Sequence, residues 1–310
     1  MRSIDGRDIA NLVLYLGGCV AATALPSRAD GAAVEAMAAL YRLMCPARCR
    51  ELRELMRRRA GGDRDWDAAL ARQTRARFED FWGRMREMGP RAWTPRIELA
   101  GEENVRRALE TGRGAVLWCM RTGGPLAMQM AFGRAGLPLV HLSRSNHGAG
   151  GSSTRAAAAL VSPLYARAEA GHVGERVLIP ANGSVQYLQT LRQRLRENRC
   201  VSIFGEYAGR QNVEAPFLGG RRPFAVGAPS LAWLENSALL PVWSERLAPF
   251  DYRVIAGVPI AADRSRPRKQ FAAEAVAEFA RRMEMVVRTR PEDWHNWTIW
   301  DSAWERPAPS

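Results

Sequence analysis

A chain of 310 residues, 47% apolar and 25% charged, carries enough apolar material for a full hydrophobic core, which excludes a disordered chain or a small disulfide-held scaffold. Its formal charge of +13 comes almost wholly from arginine, with Lys269 the only lysine. Planar guanidinium groups suit bidentate contact with phosphate or carboxylate, so the charge points to an anionic partner: a phospholipid surface, a phosphorylated sugar lipid, an acidic carrier protein or a nucleic acid.

The first element is an uncharged apolar run from Ile9 to Leu25, closed by Pro26 and flanked by Arg7 and Arg28. It falls short of the roughly 20 residues that span a bilayer, and Asp5 and Asp8 break the positive start of a signal peptide. It reads as a helix lying in a membrane interface, and residues 1–28 are set apart as a hydrophobic, membrane-associating segment.

Residues 29–89 follow a helical period. Val34, Met37, Leu40, Tyr41, Met44, Leu52, Leu55 and Met56 fall at helical spacing, and Pro46 divides the stretch into two helices. After the Gly61-Gly62 break, Trp66 to Met88 predicts a third helix with Phe78, Phe81, Trp82 and Met85 on one side. Its alternating acids and bases read as a solvated face.

From Pro90 the pattern changes, and residues 90–310 read as an α/β domain. Apolar strands at Ala115 to Met120, Leu137 to Leu142, Val201 to Glu206 and Ala238 to Trp243 alternate with helices, which predicts a mostly parallel central sheet covered by helices. Ligands of such folds gather where strands end, so the candidates are Arg121, Arg144, Glu206 and the Arg221-Arg222 pair, placed in a loop spanning residues 216–223. The Gly123-Gly124 turn is a candidate for presenting N–H groups to an oxyanion. His147, in the glycine-rich loop after a strand, is a better candidate base than His141, which lies within the strand and can face the core.

Five cysteines, Cys19, Cys45, Cys49, Cys119 and Cys200, are odd in number and scattered. They form no metal pattern and read as buried, reduced thiols. Trp294, Trp297, Trp300 and Trp304 recur at helical spacing, either as a helix packed on the core, the preferred reading, or as a membrane-interface stripe. No glycine fingerprint for nucleotides and no nucleic-acid module is present, so a nucleic-acid partner is not expected.

Several phrases then recur in a recognisable order: Arg113-Gly114 before an apolar strand, Arg144 after the next, Glu206 closing a third, Pro216-Phe217-Leu218-Gly219 with Arg221-Arg222-Pro223, and Arg290-Pro291-Glu292-Asp293-Trp294-His295-Asn296-Trp297. Together they resemble the bacterial lipid A biosynthesis acyltransferases, a branch of the lysophospholipid acyltransferase superfamily, from about Ile9 to Trp297. The resemblance implies a lysophospholipid acyltransferase-like α/β fold with a helical N-terminal region at the cytoplasmic face of a bacterial inner membrane. It implies transfer of a fatty acyl chain from an acyl-carrier-protein or coenzyme A thioester to an anionic lipid or glycolipid acceptor, with no bound cofactor and no metal.

In that family an HxxxxD or HxxxxE pair supplies the base and the carboxylate that orients it. Those two places fall on Arg121 and Leu126 here. The catalytic candidates are therefore His147, Glu206 and Arg144, with Arg121, Gly123, Gly124, Arg221 and Arg222 binding substrate. A second reading keeps the fold and the lipid site but drops catalysis, and a third, weaker one, resting on the charge alone, is a basic nucleic-acid-binding protein.

Overall fold

A computed structural model describes residues 16–144, 163, 166–180, 184–207, 209–261 and 263–297. A helical stretch at 16–24 leads into α1 (Asp30–Met44), α2 (Pro46–Ala60) and α3 (Trp66–Met88). α1 and α2 part where expected, with Pro46 at the start of α2, where its missing N–H has no intrahelical partner to lose. Asp65 caps α3 by accepting from the N–H of Ala68 at 2.9 Å.

The charges of α3 do not form the solvated face that their alternation suggests. Glu79, Asp80, Arg84 and Arg86 are all buried, because α3 is covered on more than one side. Phe81, Trp82 and Met85 pack with Ala22 and Val34. Arg86 pairs with Asp30 and donates to the carbonyls of Ala22 and Leu25. On another side Glu79 accepts from the N–H of Phe250 at 2.8 Å and from the Tyr252 hydroxyl, with Arg246 at 3.4 Å. A helix enclosed in this way must pair every charge that it buries.

The main domain is built from β1 (Arg96–Ala100), α4 (Glu102–Glu110), β2 (Ala115–Cys119), α5 (Pro125–Arg134), β3 (Leu139–Arg144), β4 (Val173–Ile179), α6 (Gln186–Arg196), β5 (Cys200–Phe204), β6 (Asn212–Phe217), β7 (Gly220–Ala225), α7 (Gly227–Glu235), β8 (Ala238–Ala248), β9 (Asp251–Ala256) and α8 (Arg268–Thr289). Seven strands form one sheet in the order β1-β9-β8-β2-β5-β3-β4. Every neighbouring pair in it is parallel except the β8–β9 hairpin. The predicted mostly parallel α/β sheet with a helical N-terminal region is the fold observed.

β2 lies near the middle and is buried on both faces. Val116 and Trp118 face a core that includes α7 and α8, while Ala115, Leu117 and Cys119 face Met128 and Phe132 of α5. Trp118 stacks on Phe279 of α8, with ring centroids 4.0 Å apart and planes 12° from parallel.

Other expectations need correcting. Residues 216–223 are not a loop: β6 and β7 form an antiparallel hairpin that turns at Leu218 and Gly219, both with positive φ. Arg144 closes β3 instead of following it. Trp294 and Trp297 are fully buried beyond a short 3₁₀ turn, Pro291–Asp293, which agrees with the preferred core reading and sets aside the interface stripe for these two. Trp300 and Trp304 lie outside the described residues.

Cys49, Cys119 and Cys200 are buried, Cys19 and Cys45 only partly so, and all are free. Burial pushes the thiols of Cys119 and Cys200 up to about 12, which leaves them protonated. Among the described residues no helix is long and apolar enough to cross a membrane.

Candidate active site

β2, β5 and β3 are parallel neighbours, so their carboxyl ends open on one edge of the sheet and bring together residues far apart in sequence. The N–H of Gly205 donates to the Cys119 carbonyl at 3.0 Å, which carries the end of β5 across the end of β2. A Cβ on Gly205 would lie 2.2 Å from Nε1 of Trp118, so only glycine lets the chain pass the indole and deliver Glu206.

Glu206 is 2% exposed. One carboxylate oxygen accepts from the backbone N–H of Arg121 and from Nε1 of Trp294, both at 2.9 Å, and the other from the amide of Asn296. Burial pushes the carboxyl up to about 7, against the pull of those hydrogen bonds and of the Arg121 charge. With three donors engaged, Glu206 braces the turn after β2 against the C-terminal segment.

That segment runs antiparallel to the turn. Thr122 bridges Trp294, the N–H of His295 donates to the Arg121 carbonyl at 3.0 Å, and the N–H of Gly123 donates to the Asp293 carbonyl at 2.8 Å. The N–H of Gly124 donates to Oγ of Ser244 at 3.2 Å. Both glycine N–H groups are therefore committed within the protein, and the geometry does not present them as an oxyanion hole. Gly123 serves the backbone: its φ is +57°, and a Cβ there would meet the Ser244 carbonyl oxygen at 2.6 Å.

The other candidates divide. The Arg121 guanidinium donates to the Tyr207 hydroxyl at 3.1 Å, and the Arg144 guanidinium lies over the Tyr207 ring, 5.2 Å from its centroid. Arg121, Tyr207 and Arg144 thus form a cationic cluster where β2, β5 and β3 end. Arg221 and Arg222 do not act as a fork, because adjacent residues on a strand point to opposite faces. Arg221 is exposed beside Glu214, whereas Arg222 is completely buried. His147 lies outside the described residues. His141 does face the interior, with Nδ1 at 2.9 Å from Oγ of Ser202.

Sequence reasoning missed the groups on the other side of the turn. The Nε2 of half-buried His295 lies 3.0 Å from the Gly123 carbonyl oxygen, and since a carbonyl only accepts, Nε2 carries the proton. Burial lowers the imidazole to about 4, with the Asp80 charge pulling the other way and the Arg121 charge adding to the fall. Asp80 reaches the start of α5, just past that turn, from α3, with one oxygen 3.4 Å from the N–H of Leu126 and the other accepting from Nε of Arg84 at 3.1 Å. Burial acts to raise its carboxyl, but the Arg84, His295 and Arg121 charges outweigh it and hold the carboxyl below the ordinary value. Arg84 also binds Glu169 at 2.6 Å. For Asp80 the available signal was that it lies a helical turn from Arg84 on a helix that also has an apolar side, and for His295 its place in the Arg290 to Trp297 phrase.

The profile of the bacterial lipid A biosynthesis acyltransferases matches residues 13–298. The chain belongs to that family. No curated protein matches it closely enough to add a relative. At the two places that the resemblance assigns to the usual His and acid, the Arg121 guanidinium is bound to Tyr207 and the Leu126 side chain is completely buried. Among the described residues no group of three or more His, Cys, Asp or Glu side chains is arranged to hold a metal.

Proposed function

We propose that the protein transfers a fatty acyl chain from an acyl-carrier-protein or coenzyme A thioester onto a glycolipid or lipid-like acceptor at a membrane surface. The observation that carries this reading is the family match over residues 13–298, joined to a cationic cluster at the carboxyl ends of β2, β5 and β3. Arg121 and Arg144 suit the phosphate of a donor or of an acceptor headgroup. Membrane contact is supported by the N-terminal helices, which leave Leu16, Val20, Leu40, Leu43 and Met44 exposed and expose Arg28, Arg48 and Arg50 as well.

A second reading, a lipid-binding relative without turnover, is favoured by one observation: Arg121 and Leu126 bring neither base nor acid to the places of the family pair. Mass spectrometry of lipids extracted from the purified protein, before and after incubation with a long-chain acyl thioester, separates the two. A new acylated lipid is expected under acyl transfer. Copurified lipid that stays unchanged, with the thioester intact, supports the binding protein and sinks the enzyme.

A further inference from the structure

We infer that His295 is the general base of this chain, with the buried carboxylate of Asp80 favouring its charged form. The inference rests on the acyl-transfer reading above. His295 is tied to the turn twice, through its N–H to the Arg121 carbonyl and through Nε2 to the Gly123 carbonyl, both at 3.0 Å. The second bond fixes the proton on Nε2 and leaves the Nδ1 lone pair as the basic site. Asp80 approaches the start of α5, directly after that turn, from α3 and lies 3.4 Å from the N–H of Leu126.

An imidazole and a carboxylate therefore flank the segment from Arg121 to Leu126, whose own side chains at 121 and 126 supply neither. Neither belongs to the β2–α5 segment: one comes from the C-terminal stretch and the other from the helical region. Asp80 is 5% exposed, so its charge is poorly screened and favours the imidazolium formed when the base takes a proton, against the opposing charge of Arg121. The lowered pKa keeps the resting imidazole neutral near pH 7.

In the reaction, Nδ1 of His295 takes the proton of an acceptor hydroxyl as that oxygen attacks the thioester carbonyl carbon. The C–S bond breaks with its electron pair leaving on sulfur, and the imidazolium returns the proton to the thiolate. The products are an ester and a free thiol.

The test uses the full chain with lauroyl-coenzyme A as donor and a lipid A precursor glycolipid as acceptor, following both released thiol and acylated lipid. His295→Gln keeps a donor for the Gly123 carbonyl but has no base. It is expected to lose 10²–10⁴-fold in kcat, with the KM for the donor and the circular dichroism spectrum close to wild type. His295→Ala is expected to regain rate with added imidazole, in proportion to the free base. Asp80→Asn, as a change in a positioning residue, is expected to lower kcat less and to move the acid limb of the pH–rate profile to lower pH.

A folded His295→Gln protein within threefold of wild-type turnover overturns the assignment, as does a loss in His295→Ala that imidazole leaves untouched. If neither His295 variant folds, an unmoved pH profile in Asp80→Asn overturns it instead. A wild-type protein that consumes no thioester overturns the acyl-transfer reading and this inference with it.

Discussion

At the scale of single residues, two titrating groups beside the Arg121–Gly124 turn pull stability in opposite directions. Glu206 is held at about 7 against an ordinary 4.5, so between those values the folded state carries the extra proton and stability falls as pH rises. His295 is held at about 4 against an ordinary 6.5, so between those values the unfolded state carries the extra proton and stability rises with pH. Each effect is on the order of 3 kcal/mol, and from about pH 4.5 to 6.5 they largely cancel. Thermal midpoints measured from pH 4.5 to 7 are expected to vary little in the wild type, to climb with pH in Glu206→Gln and to decline with pH in His295→Gln. Parallel curves for all three proteins would show that neither group titrates as placed. A separate backbone test is Gly123→Ala, expected to cost about 3 kcal/mol in denaturant unfolding, because positive φ and the Ser244 carbonyl both oppose a Cβ. Arg121, Arg144 and Glu206 were legible in the sequence because they close or directly follow apolar strands, and strand ends converge in a parallel sheet. His295 and Asp80 were not, since no local period reveals which distant segments fold against one turn.

At the scale of elements, strands and helices of strong period emerged close to their predicted bounds, and α3 matched at both ends. What the period could not show was how many sides of α3 would be covered. Alternating acid and base fits a solvated face equally well as a helix enclosed by partners, because side-chain spacing carries no information about the next layer. The 216–223 stretch failed for a related reason: its glycine, proline and arginine content matches loops, yet a hairpin with a tight turn at Leu218 and Gly219 uses the same residues. Enclosure of α3 has a measurable cost. Arg84 bridges Asp80 and Glu169, both buried, so Arg84→Ala removes the cation that the two carboxylates share. The expected loss is about 3–5 kcal/mol in chemical denaturation. Asp80→Asn and Glu169→Gln introduced together into the Arg84→Ala background are expected to recover part of it, and no recovery would show that the loss comes from packing alone.

At the scale of the whole molecule, a charge of +13 and an apolar set at the N-terminal helices make different demands on a membrane. Attraction between arginines and anionic headgroups acts through solvent, and it fades as the Debye length shrinks from about 10 Å at 0.1 M salt to about 3 Å at 1 M. Burial of apolar side chains in the interface carries no such dependence, because it arises from removing hydrocarbon from water. The two contributions therefore separate in a single experiment, cosedimentation with phosphatidylglycerol vesicles and with neutral phosphatidylcholine vesicles at low and high salt. Leu43 and Met44 are 77% and 72% exposed, so charged replacements there disturb little of the core. The paired change Leu43→Asp and Met44→Asp is expected to weaken binding to both vesicle types by tenfold or more, and at both salt concentrations. Raising salt is expected to weaken wild-type binding to the anionic vesicles only. If the paired variant binds as tightly as wild type, the end of α1 does not enter the interface. Any membrane contact must then come from the arginines or from another part of the chain.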